Sequence, residues 1–193
     1  MKTCILLLIA AFLAVLALTP FALHADHGFF PIYNITHLKT TEGDAYNFYS
    51  PGFNYTYNAK KNFGFFSSIG ILFPLRSSQN GEDFKNADFY KTKLGMDLLM
   101  GAGGKVPIGS RFMFVPSGGA HLNIIRLRGK SEYLDLNNVS TGIGLNLQAR
   151  YAISRSIDCT LFTSGSWDGF DLIHRKNKFK NGLGFTVGAG LTF

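Results

Sequence analysis

Alternation of apolar with small or polar residues, at a period of two, dominates the chain and is cleanest at its end. Leu183, Phe185, Val187, Ala189, Leu191 and Phe193 interleave with Gly182, Gly184, Thr186, Gly188, Gly190 and Thr192, and no helical period fits. Residues 139–152 repeat the pattern, with Ile143, Leu145, Leu147, Ala149 and Tyr151 on one face and Gly142, Gly144, Asn146, Gln148 and Arg150 on the other. Extending outward from these two, the pattern predicts eight strands, near 28–38, 46–57, 63–75, 94–102, 111–127, 139–152, 157–167 and 181–193. The first is the least regular, because its apolar residues do not settle on one face and Pro31 removes a ladder donor. Pro51 and Pro116 predict bulges or frayed pairing in the second and fifth.

The connections alternate in kind. Those at 39–45, 76–93, 128–138 and 168–180 are long, the first excepted, and those at 58–62, 103–110 and 153–156 are short. The four odd-numbered connections hold 20 of the 30 charged residues of segment 26–193, and the strands at 63–75 and 181–193 hold none. A soluble sandwich places Lys, Glu and Asp on the solvent face of its strands. Here one face is apolar and the other is Gly, Thr, Ser, Asn and Gln, the inverse pattern expected when lipid lies outside and a small enclosed space inside. Lipid leaves backbone N–H and C=O groups unsatisfied, so such strands must close on themselves. The expected fold is all-β: a closed, up-and-down antiparallel transmembrane barrel of eight strands. Aromatics near strand ends agree, with Tyr49, Phe73 and Trp167 towards the long-loop rim and Tyr57, Phe63, Tyr151 and Phe193 towards the short-turn rim.

Composition narrows compartment and chemistry. The 193 residues are 15% aromatic and only 16% charged, with 22 Gly and 19 Phe, which favours strands and turns over a helical bundle. Residues 5–18 form the only long apolar run, after Lys2 and before Pro20, and the run reads as a cleaved secretory signal ending at Ala25; the alternative is an uncleaved anchor helix. The expected division is a signal peptide at 1–25 and a barrel domain at 26–193. Cys4 precedes the apolar run, which argues against a lipoprotein, and Cys159 alone remains beyond it, so no internal disulfide and no Cys/His metal spacing is expected.

The signal sequence, the length and the terminal run Leu183-Gly-Phe-Thr-Val-Gly-Ala-Gly-Leu-Thr-Phe193 resemble the small outer-membrane β-barrel proteins of Gram-negative-type bacteria, the broad OmpA/OmpX/OmpW-like class. The resemblance implies residence in the outer membrane and recognition of the last strand by the barrel-assembly machinery through Phe185, Val187, Leu191 and Phe193. OmpW-like members are associated with small hydrophobic molecules, but no residue match here selects that branch.

Eight strands enclose a space that side chains can fill, so an open pore is not the default. Asp97 points inward, opposite in phase to Leu94, Met96, Leu98 and Met100, as does Arg150, and the two are candidates for a lumen ion pair. Glycines 182, 184, 188 and 190 free volume along one stave, for side chains from opposite strands or for a narrow passage. Arg175, Lys176, Lys178 and Lys180 make a basic patch in the last long loop, a candidate for acidic surface or host molecules, diluted by Asp168 and Asp171. His121 is inward near Ser117, with no third partner evident for nucleophilic catalysis, so no enzyme activity and no cofactor is expected. Gly101-Ala-Gly-Gly-Lys105 lacks the spacing of a phosphate-binding loop. Membrane lipid is the expected partner, and nucleic acid is not, despite a pI near 9.5. The leading functional expectation is a barrel that passes or binds small, hydrophobic molecules; the alternative is a closed structural or adhesin barrel acting through its loops, and a lipid-modifying enzyme is a third class.

Overall fold

The computed structural model describes residues 25–60, 62–130, 135–172 and 179–193. Within them, eleven strands form one antiparallel sheet: β1 (Ala25–Thr40), β2 (Ala45–Ala59), β3 (Phe63–Leu72), β4 (Arg76–Gln79), β5 (Glu82–Lys85), β6 (Tyr90–Gly104), β7 (Val106–Ile108), β8 (Phe112–Gly129), β9 (Leu136–Ala152), β10 (Asp158–Asp171) and β11 (Phe179–Thr192). Eight of them, β1, β2, β3, β6, β8, β9, β10 and β11, pair in sequence around a ring, and β1 closes it by pairing with both β2 and β11. The last residue takes part in closure, since the Phe193 N–H donates to the His27 carbonyl and the His27 N–H to the Phe193 carbonyl. No edge remains in the ring, as a sheet in hydrocarbon requires.

The apolar outer face read from the alternation is present, while the inner face mixes small polar residues with large apolar ones such as Phe30, Phe48 and Phe162. Leu145 is 72% exposed, Phe53 65% and Leu161 63%, while Asn34, Thr56, Gln148 and Thr160 are wholly buried. Every second side chain along β2 and β9 thus turns outward, and its neighbour, in most places small or polar, turns into the barrel. At the short-turn rim, Phe29 packs on Tyr55, Tyr57 on Phe65 and Phe112 on Tyr151, forming an aromatic girdle. Trp167 and Phe73 are exposed towards the long-loop end.

Three local features differ from the sequence reading. The connection 76–93 is not a plain loop: β4 and β5 make a hairpin that prolongs the barrel wall beyond β3 by pairing with Tyr46–Tyr49 of β2, and a single helical turn, Asn86–Phe89, leads into β6. The short connection 103–110 contains β7, folded back on the start of β8. The prolines make no bulge and shift no register, and the expected fraying takes the form of a ladder interrupted at each. Pro116 falls between the β6 ladder, which ends at Ser117, and the β7 ladder, which begins at Phe114. Pro51 falls between the β3 and β4 ladders, and the pairing of β1 with β11 skips Phe30 and Pro31. A residue without an N–H sits at no cost where no acceptor needs it. The register shifts that do occur, at Lys39/Thr40, Tyr90/Thr92 and Asp168/Phe170, all lie at the long-loop end.

Candidate functional site

The interior of the barrel is the first place to look for function, and it is filled. At the short-turn end, near the start of β1 and the end of β9, one Asp26 oxygen accepts from both Arg150 Nη1 at 2.6 Å and Lys105 Nζ at 2.7 Å. Arg150 is 1% exposed, and its remaining face donates to Gln148 Oε1 through Nε at 3.0 Å and Nη2 at 2.7 Å. Thr160 and Thr192 hydroxyls meet at 2.9 Å. Deeper in, Phe30 stacks on Phe162 beside Ile32 and Leu72. At the long-loop end, Leu38, Phe48, Ile125, Leu127 and Leu136 form an apolar cluster with Tyr46 and Tyr90 packed on it. These residues come from the ends of β1 and β8 and the starts of β2 and β9, so they stopper the mouth.

A polar cluster that the spacing of residues did not reveal also fills the lumen, with Asp97 and Ile32 both beside Gly70. His121 Nδ1 is 2.6 Å from Asp168 Oδ1, and its Nε2 is 3.2 Å from Asp97 Oδ2. Ser140 Oγ donates to the other Asp168 oxygen at 3.3 Å. β8 carries the imidazole, β6 and β10 carry the carboxylates, and the inward phase of each strand brings them together across the lumen. The arrangement is a brace. A general base needs one ring nitrogen free to take a proton from a nucleophile. Both nitrogens of His121 face carboxylates, and Ser117 is engaged elsewhere, its hydroxyl donating to Asn146 Oδ1 at 3.2 Å.

The proposed pairing of Asp97 with Arg150 is therefore corrected. Both are buried and inward, but they belong to different layers, Asp97 to the His121 brace and Arg150 to the cluster on Asp26. Asp97 lies mid-strand and Arg150 two residues from the end of β9, and nearer partners of opposite charge satisfy each. The glycine stave is likewise occupied. A Cβ on Gly182 would stand 2.9 Å from Leu38 and 3.3 Å from Asp168, and one on Gly188 would stand 2.7 Å from Ile32. The space beside these glycines is taken by side chains and backbone of the flanking strands β1 and β10, and not by side chains of the opposite wall.

Among the other sequence candidates, Phe185, Val187, Leu191 and Phe193 lie exposed on the outer face of β11 and at its end. Arg175, Lys176 and Lys178 lie outside the described residues; Lys180 falls within β11, and its side chain is likewise outside the description. Among the described residues no group of three or more His, Cys, Asp or Glu has a metal-holding arrangement, and no helix is long and apolar enough to cross a membrane.

No family model matches the sequence, and no curated protein does. Solved structures do match. Neisserial surface protein A (NspA) superposes with a TM-score of 0.59 at 14% identity, over 87% of this chain and 95% of that one. Ail, the attachment invasion locus protein of Yersinia pestis, superposes with a TM-score of 0.51 at 14% identity, over 88% of this chain and 99% of that one. The chain has the fold of the small outer-membrane β-barrels. This barrel shares with them a closed eight-stranded wall spanning nearly the whole of either chain, and at such identity the likeness extends to the fold and not to any binding residue.

Proposed function

We propose that the chain is an integral outer-membrane protein, exported by the segment 1–25 and assembled through its last strand, whose barrel is a closed support for a functional surface at the long-loop end. The observation that carries the reading is the occupied lumen: an apolar stopper at the mouth, a buried ionic brace in the middle and a second ionic cluster at the base. An eight-stranded ring leaves room for side chains and little else, and here large ones occupy it. Passage of small molecules, the leading expectation from sequence, loses support for that reason. Catalysis in the lumen loses support because His121, the one buried imidazole among the described residues, has no nitrogen to spare. What remains available to partners is the wall and the outer end, where the β4–β5 hairpin rises above the ring. Ail is named for attachment and invasion, and a stiff closed barrel presenting short β extensions suits an attachment role of that kind.

Planar-bilayer recording tests the reading. Reconstituted protein is expected to be electrically silent, and discrete channel events would overturn the closed lumen. Protease treatment of intact cells is expected to cut within the long connections and spare the short turns; the opposite pattern would overturn the orientation.

A further inference from the structure

The outer wall carries a feature that lipid acyl chains do not explain. Along β8 the outward positions Ala120, Leu122 and Ile124 are followed, without change of face, by Arg126, Arg128 and Lys130, where the burial alternation continues to the end of the strand and one residue past it. Arg126 stands beside Leu94, and Arg128 beside Thr92, on the neighbouring strand β6. Exposed Lys91 lies at the register shift between Tyr90 and Thr92, and the Lys130 N–H is tied to the Phe89 carbonyl. The cations thus follow directly on the apolar belt. Successive outward side chains on a strand are about 7 Å apart, so the three cations on β8 span roughly 14 Å.

Charge complementarity is left open at this ladder. Among the described residues none of Arg126, Arg128, Lys130 and Lys91 forms an ion pair. The carboxylate of Asp135, at the start of the returning strand, accepts the Gly129 N–H at 2.8 Å instead. We propose that Arg126, Arg128 and Lys130, with Lys91 beside them, form a docking ladder for the phosphate groups of anionic glycolipid in the outer leaflet, the acyl chains of that lipid lying on the apolar belt below. Phosphate suits the site because guanidinium presents paired N–H groups to its oxygens and Lys adds a mobile charge. The inference rests on the outer-membrane reading above, which places this rim at the headgroup level.

The test uses the full mature barrel in phosphatidylcholine vesicles that contain a phosphorylated disaccharide glycolipid, or the same glycolipid with its phosphates removed. The readout is the temperature at which the folded, boiling-sensitive gel band is lost. A lipid that binds only the folded state raises this temperature. Each surface cation is worth about fivefold in affinity for anionic lipid, and removing the three on β8 is worth about a hundredfold. The phosphorylated lipid is expected to raise the transition of the native chain, and added salt is expected to weaken the effect. The combined variant Arg126→Gln, Arg128→Gln, Lys130→Gln is expected to lose the rise, and Arg155→Gln in the opposite turn to keep it. An equal rise with the dephosphorylated lipid, in the combined variant, or with inorganic phosphate alone would overturn the proposal. A chain that gains no boiling-sensitive band in either vesicle would overturn the outer-membrane reading itself, and a folded chain with no lipid-dependent rise would overturn the ladder only.

Discussion

His121 shows how a single side chain sets the cost of a buried layer. Its ring is 3% exposed between two carboxylates, each of which is nearly as buried. Removing one member of a buried, hydrogen-bonded charge set leaves the others unpaired in low dielectric, which destabilises by roughly 3–5 kcal/mol. His121→Ala is therefore expected to lower the urea midpoint of the refolded barrel substantially, read from the boiling-sensitive band; an unchanged midpoint would refute the brace. A double-mutant cycle separates the pairings more sharply. Coupling is expected between Asp97 and His121, whose atoms touch, and none between Asp97 and Arg150, which share no partner. The inward phase of Asp97, His121 and Arg150 was legible from alternation alone. Their partners were not, because alternation fixes the face of a side chain and not its height, and height depends on the stagger between strands, which the turns and bulges set. Asp168 was hidden for a further reason. The charge pattern assigns it to the last loop, whereas β10 runs on to Asp171 and carries it inside.

The strands themselves were the most legible part, since lipid outside and a small lumen inside impose the same period on all eight. The elements that do not follow this period lie where that constraint ends, above the membrane belt. One of them was signalled. Gln79-Asn80-Gly81-Glu82 joins β4 to β5 through a two-residue turn, with Asn80 at φ +52° and Gly81 at φ +91°, and Asn-Gly is the favoured pair for a hairpin of that handedness. The flanking segments are polar instead of alternating, so no hydrophobic period marks them as strands. A branched side chain at Gly81 would be strained by its positive φ. Gly81→Val is expected to open the β4–β5 hairpin to protease while leaving the thermal transition of the ring unchanged, because the hairpin hangs from β2 alone. Loss of the ring transition in that variant would show that the hairpin belongs to the barrel's cooperative unit. Gly101→Ala is expected to do the reverse. Its Cβ would drive into the Gly118 backbone on β8, so the damage falls on the wall. That variant should lose the boiling-sensitive band at a lower temperature, while a transition like that of the native chain would mean the two strands separate there without penalty.

Closure of the ring and closure of the lumen are distinct properties of the whole molecule, and they depend on different residues. The ring depends on β1 reaching both neighbours, with Phe193 stitched to His27. The lumen depends on separate seals in series: the cluster of Leu38, Phe48 and Leu127 at the mouth, the His121 brace, the Phe30–Phe162 stack and the Arg150–Asp26–Lys105 knot at the base. Seals in series have a plain electrical consequence, since any one left intact blocks the path. Phe48→Ala with Leu127→Ala removes the stopper, and Arg150→Ala removes the knot, yet each change alone is expected to leave bilayer recordings silent. Conductance is expected only when mouth, brace, stack and base are opened together, by adding His121→Ala and Phe162→Ala to the other three in a chain that still shows its boiling-sensitive band. Channel events from the mouth variant alone would mean that the deeper layers are no barrier to ions and that the barrel is a gated pore. Silence from the folded combined variant would place a further obstruction in the lumen, beyond the four seals described.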